Sequence, residues 1–171
     1  MIFRSLFAND GLVNYVLVNL GILDKPYNFL TQPFAAKMVI ILALLWRWTG
    51  YNMVFFLSGL QNIEYSVYEA AKIDGASAIQ TFFKITVPLL KPTILLTAIM
   101  STNGTLQLFD ESINLTDGGP ANASISMSHY IYNLCFKYVP NFGYAAAMSF
   151  FILLLVAVLA FIQMRVGDKR D

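Results

Sequence analysis

Residues 144–164 read YAAAMSFFILLLVAVLAFIQM, an apolar run without one charged side chain. At 1.5 Å per helical residue the run is long enough to cross about 30 Å of hydrocarbon. In lipid a lone segment must satisfy its own backbone, and a helix does so. Two further segments have the same reach. Residues 38–60, MVIILALLWRWTGYNMVFFLSGL, are interrupted by a single charge, Arg47. Residues 92–115 are apolar in their first half and polar in their second. The run 12–23 is too short to span and is broken by Asn14, Asn19 and Gly21, so it reads as a short surface helix.

The whole chain agrees with its spans. Of 171 residues, 57% are hydrophobic and 12% charged, and the mean hydropathy is +0.61. A soluble domain carries about twice that share of charge, and intrinsic disorder needs low hydrophobicity. What remains is an all-α, polytopic helical membrane protein with three transmembrane helices. A net charge of +1 excludes a basic nucleic-acid footprint. Cys135 has no partner for a disulfide, and neither it nor the only histidine, His129, sits at metal-ligand spacing. Both read as structural, with no metal or cofactor held by this chain.

Charge placement orients the spans. Residues 61–91 and 165–171 together hold Lys72, Lys84, Lys91, Arg165, Lys169 and Arg170, six basic residues in 38 positions. Residues 1–37 and 116–143 hold four in 65. The denser side faces the cytoplasm by the positive-inside rule, which puts the C-terminus inside and residues 1–37 outside. Residues 1–7 lack the apolar core of a signal peptide. The expectation is therefore that helices precede Met1 in a longer protein. The expected organisation is an outer segment 1–37, a span 38–60, a cytoplasmic loop 61–91, a span 92–115, an outer loop 116–143, a span 144–164 and a tail 165–171.

The loop 61–91, QNIEYSVYEAAKIDGASAIQTFFKITVPLLK, has its own local code. Ser66 and Glu69 have capping-box spacing, predicting a helix from Val67. Gly75 is placed to end that helix in a left-handed cap. Ser77 and Gln80 repeat the capping box, and Pro88 is placed to stop the second helix. Ile79, Phe82, Phe83 and Thr86 fall on one side of it, a mostly apolar face. From residues alone, such a loop either rests on lipid headgroups or transmits a rigid displacement.

Glu69-Ala70-Ala71, Asp74-Gly75-Ala76, Ile85 and Val87-Pro88 resemble the E-A-A-x-x-x-G-x9-I-x-L-P signature of permease subunits of binding-protein-dependent ABC importers, with Val87 in place of the usual leucine. The longer form around Asp74 is similar to the carbohydrate branch, the maltose and glycerol-phosphate permeases. Asp10-Gly11, Leu20-Gly21-Ile22, Trp46 with Gly50, Phe109-Asp110, residues 116–120 and Gly143-Tyr144-Ala145-Ala146 resemble family positions in order. The resemblance implies a fragment of a fold of about six helices. It also implies a cytoplasmic coupling loop in which Glu69, Ala70, Ala71, Asp74, Gly75, Ala76 and Pro88 meet an ATPase. The implied partners are a second permease, two ABC ATPases that bind the ATP, an extracellular solute-binding protein and a sugar. The implied site is the cytoplasmic membrane of a prokaryote, and the implied mechanism is alternating access.

Asn103, Gln107, Asp110 and Asn114 recur at helical spacing, a polar stripe within about 60° on one helix. Lipid penalises such a stripe, so it faces protein or water. It serves either as a sugar pathway, since amides and carboxylates exchange hydrogen bonds with hydroxyls, or as a helix–helix interface. By resemblance, Gln107 and Asp110 fall where sugar importers contact substrate, and Gly50 matches a glycine close to that site. Trp46, Arg47, Gly50 and Asn52 stand near mid-span. Arg47 needs a partner there or water. Asp110 and Glu111 are the candidates, and structural and pathway roles both stay open for it. Residues 124–138 read as an aromatic interfacial helix, which by resemblance lies near where the binding protein docks.

Other readings compete. One is an ABC permease for a non-sugar solute, and another is a truncated, inactive permease. An intramembrane enzyme using Asp110 and Glu111 is disfavoured, because adjacent helical positions point about 100° apart. There is no G-x-x-x-x-G-K-[ST] motif, so the chain is expected to be non-catalytic.

Overall fold

The computed structural model describes residues 2–167, and every regular element among them is helical. In chain order these are α1 (Ile2–Leu6), α2 (Leu12–Asn19), α3 (Pro33–Gln61), α4 (Tyr65–Ile73), α5 (Ala78–Thr81), α6 (Val87–Leu89), α7 (Lys91–Leu106), α8 (Met127–Tyr132) and α9 (Phe142–Gly167). Three five-residue π-helical turns stand at Phe82–Thr86, Ser112–Thr116 and Asn133–Lys137. Met1 and residues 168–171, with Lys169 and Arg170 of the basic tail, lie outside the described residues.

Helices α3 and α9 are each long and apolar enough to cross a membrane. They run over 29 and 26 residues, about 44 and 39 Å at the α-helical rise. Both overrun the predicted spans 38–60 and 144–164. The span predicted over 92–115 needs correction. Helix α7 stops at Leu106, residues 107–109 are not helical, and helix resumes at Asp110. The sequence before the break, Ser101-Thr102-Asn103-Gly104-Thr105, gathers residues that favour competing backbone hydrogen bonds or pay backbone entropy in a helix. Among the described residues, length and composition give a third span if Ala78–Leu89 and Lys91–Leu106, bent by 64°, act as one broken span.

The chain divides into two compact units, Met1–Arg47 with Gly104–Leu155, and Trp48–Asn103 with Val156–Asp171. The first is built on Val39, Ile40, Ala43 and Leu115, with Phe3, Phe7, Phe29 and Leu108 packed against them. Its α2 confirms the short helix, but Asn14 does not break it. The side chain is buried and donates to the carbonyls of Ala8 (3.1 Å) and Tyr27 (2.9 Å), while its Oδ1 accepts from the Tyr27 N–H at 2.8 Å.

In the second unit, Asn52 and Ser101 exchange hydrogen bonds at 3.2 and 3.3 Å. Gln163 donates to Thr102 at 2.8 Å. Gly59 leaves room for Leu90 and Thr93, whose nearest atoms stand 2.9 Å from where a Cβ would be. The loop of this unit departs from expectation in three places. Helix α4 begins at Tyr65 with Glu64 as N-cap, so Ser66 caps nothing, and its hydroxyl donates to Glu64 instead. Helix α5 passes into the π-helical turn, and Pro88 stands at the start of α6, so proline does not stop the helix. Proline lacks the N–H that would serve the carbonyl of Lys84, and a wider i→i+5 turn accommodates that loss. Of the expected face, Ile79, Phe82 and Phe83 are exposed together, and only its polar member, Thr86, is buried.

Candidate functional site

The first unit carries an open cavity of about 230 Å³ whose lining includes Phe3, Trp46, Arg47, Asp110, Glu111 and Asn114. Helix α3 supplies Trp46 and Arg47 from adjacent positions, and the helical turn restarting at Asp110 supplies the acids and the amide. Arg47 Nη1 and Glu111 Oε1 are 2.7 Å apart. Of the two acids that sequence offered as partners, Glu111 takes the guanidinium, and Asp110 stays exposed in the lining. Glu111 is the more buried member of the pair, 12% exposed against 39% for Arg47. Its second oxygen, Oε2, is buried with no hydrogen-bond partner. Phe3 meets the exposed Trp46 ring edge-on at 5.8 Å.

Four of the eight predicted pathway residues, Trp46, Arg47, Asp110 and Asn114, thus line one cavity. The single helical stripe does not exist, because the break at 107–109 interrupts it. Gln107 is exposed in that break, and Asn103 is half-buried on α7. Asn52 is engaged by Ser101, and a Cβ at Gly50 would meet open space. Glu111 and Phe3 were not predicted as pathway residues: Glu111 was weighed as an ion-pair partner and as half of a disfavoured carboxylate site, and Phe3 sits far away in sequence.

The loop of the second unit presents Glu69, Ala70, Asp74 and Gly75 at its surface, with Ala71 buried, Ala76 half-buried and Pro88 exposed. Gly75 has φ +76°. Its N–H donates to the Lys72 carbonyl (3.1 Å), and that of Ala76 to the Ala71 carbonyl (3.0 Å). This is the Schellman closure predicted at Gly75. Ser77 and Gln80 form both bonds of the second predicted capping box. The Tyr68 and Thr86 hydroxyls stand 3.3 Å apart and tie α4 to the π-helical turn.

A third polar cluster holds the loop between residues 112 and 138. His129 is fully buried, with Nδ1 2.9 Å from Ser112 Oγ. That hydroxyl spends its proton on the Ser124 carbonyl at 2.8 Å, so Nδ1–H is the donor and Nε2 carries a lone pair. Nε2 lies 3.6 Å from Asp117 Oδ1, and Asp117 is held by Lys137 at 3.0 Å. Burial pushes the His129 pKa below its ordinary value, Asp117 opposes this, and Lys137 adds to the depression. A lowered folded-state pKa means the unfolded chain binds the proton first, so stability falls as pH drops below about 6.5. Thermal unfolding of the wild type is expected to lose more between pH 7.5 and 5.5 than that of His129→Gln. Equal losses would show that His129 is not the titrating group. Within the predicted segment 124–138 the helical residues run over 127–137, as α8, capped by Ser126, and the following π-helical turn. Among the described residues no group of His, Cys, Asp or Glu is arranged to hold a metal.

Comparison with known proteins gives this geometry its context. The lactose transport system permease protein LacF of Rhizobium radiobacter is 54% identical over 99% of the chain and 58% of its own length. The trehalose/maltose transport system permease protein MalF of Thermococcus litoralis is 37% identical over 94% of the chain and 53% of its own. A crystal structure of a bacterial ABC transporter involved in importing the acidic polysaccharide alginate superposes with a TM-score of 0.83. It is 25% identical, over 97% of this chain and 58% of that one. The chain therefore spans a little over half the length of the relatives it matches. Residues 3–170 match one family throughout. The chain belongs to the inner membrane components of binding-protein-dependent transport systems.

Proposed function

We propose that this chain serves in a permease subunit of an ATP-driven ABC importer that moves a sugar or oligosaccharide across the cytoplasmic membrane by alternating access. The observation that carries the reading is the cavity that joins Trp46 to Arg47, Asp110 and Asn114. An exposed indole offers a platform for the apolar face of a pyranose, while a carboxylate and an amide exchange hydrogen bonds with its hydroxyls. The likeness to lactose and trehalose/maltose permeases supports the same substrate class.

In this reading the subunit pairs with a second permease and receives sugar from a periplasmic binding protein. It couples to two ATPase subunits through Glu69, Ala70, Ala71, Asp74, Gly75 and Ala76, and Pro88 closes the coupling segment. Exposed Ile73, Ile79 and Phe83 beside that turn support a protein contact there. The loop and the C-terminus face the cytoplasm. The chain carries out no bond chemistry, and hydrolysis belongs to the ATPase partner.

The test is uptake of radiolabelled lactose by the complete importer. Trp46→Ala is expected to lower uptake about tenfold, the worth of one aromatic contact, with subunit abundance in the membrane unchanged. Uptake of lactose at the wild-type rate by Trp46→Ala would remove the cavity from the pathway. Import of amino acids or peptides in place of any sugar would replace the substrate class.

A further inference from the structure

We infer that the Arg47–Glu111 pair is a charge filter that fits the cavity to uncharged saccharides and closes it to sugar carboxylates. The inference rests on the sugar-pathway reading above. An arginine in a saccharide cavity is the natural receptor for a uronate, because its planar fork matches a carboxylate in two-point geometry. Here that fork is already engaged. Nη1 stands 2.7 Å from Glu111 Oε1, and Glu111 is the more buried of the two. Asp110 adds a second, exposed carboxylate to the same lining. One cation against two anions leaves the cavity with a formal charge of −1. A sugar acid entering it meets net repulsion, and its natural receptor is occupied by a stronger local partner. A neutral sugar suffers neither penalty and finds an acceptor in the exposed carboxylate of Asp110. Glu111 thus determines specificity by holding Arg47.

The filter is read most directly without the binding protein, which imposes a selection of its own. The complete membrane assembly, in lipid nanodiscs, is probed by saturation-transfer NMR with two ligands: lactose, and the same disaccharide oxidised to a carboxylate at its galactosyl C6. The wild type is expected to show transfer to lactose and at least about tenfold less to the acid, one elementary charge acting across a small cavity. Glu111→Gln removes the carboxylate that engages Arg47 and is expected to bring the acid to within about threefold of lactose. The double variant Arg47→Gln/Glu111→Gln removes both charges of the pair together, so it guards against a folding defect from a charge imbalance. It is expected to bind lactose and again exclude the acid. Equal binding of both sugars by the wild type, or an unchanged preference in Glu111→Gln, overturns the filter. No transfer to lactose in the wild type overturns the sugar-pathway reading itself, and the filter falls with it.

Discussion

Gly75→Pro is expected to abolish ATP-driven uptake, lowering it about 100-fold or more, while the subunit still reaches the membrane. Gly75 has φ +76°, a value that proline, fixed near −65°, cannot adopt. The substitution also deletes the N–H that donates to the Lys72 carbonyl at 3.1 Å. With that bond goes the closure that turns the chain from α4 toward the capping box at Ser77. In the coupling role proposed above, loss of this rigid turn decouples hydrolysis from transport without touching either spanning helix. Gly75→Ala separates the causes. A Cβ there would meet nothing within 4 Å, so alanine pays only the left-handed backbone cost of about 1 kcal/mol and keeps its N–H. It is expected to retain most uptake. Transport by Gly75→Pro at the wild-type rate, measured beside membrane abundance and ATPase rate, would remove this turn from coupling.

How far the sequence carried depended on the range of the interactions involved. Helices α3 and α9 and the left-handed turn at Gly75 are written locally, in a run of apolar residues or in one residue freed from a Cβ. Those signals do not depend on the rest of the chain, and the structure repeats them. The second capping box is equally local. Errors came where local signals compete. Ser66 has the spacing of a cap, but Glu64 two residues earlier takes the N-cap position and the Ser66 hydroxyl. Pro88 has the chemistry of a stop, but a π-helical turn absorbs the missing N–H. A stripe of four polar residues extrapolates one helical period across Gly104 and Thr105, where the helix ends within two residues. The cavity was half legible. Arg47, Asp110 and Asn114 were found by their polarity in an apolar setting and Trp46 by its place near mid-span, whereas Phe3 is an ordinary aromatic until folding brings it to Trp46. Choosing Glu111 over Asp110 as the partner of Arg47 is a matter of side-chain direction, which adjacency in sequence leaves open.

Asn14→Leu is expected to destabilise the first unit by about 3 kcal/mol, roughly 1 kcal/mol for each of three hydrogen bonds lost without replacement. Leucine has the same count and branching of side-chain heavy atoms, and α2, already apolar, would gain hydrophobicity. The bonds decide otherwise. Asn14 is 1% exposed, and its amide bridges the Ala8 carbonyl to both backbone groups of Tyr27, across 13 residues of chain. Tyr27 in turn meets Phe29 at 5.0 Å, Phe29 meets Phe7 at 5.6 Å, Phe7 stacks on Phe3 at 6.3 Å, and Phe3 meets Trp46 at 5.8 Å. An asparagine near the start of the chain thus reaches the cavity wall through one aromatic relay. The expected readouts are a thermal midpoint lower by about 8 °C, faster proteolysis within residues 8–27, and weaker sugar binding at the cavity. Asn14→Asp keeps the acceptor for the Tyr27 N–H but sets a carboxylate against two carbonyls, so it is expected to be at least as damaging as leucine. If either variant melts with the wild type and resists protease equally, the clamp is ornamental and Phe3 is positioned by packing alone.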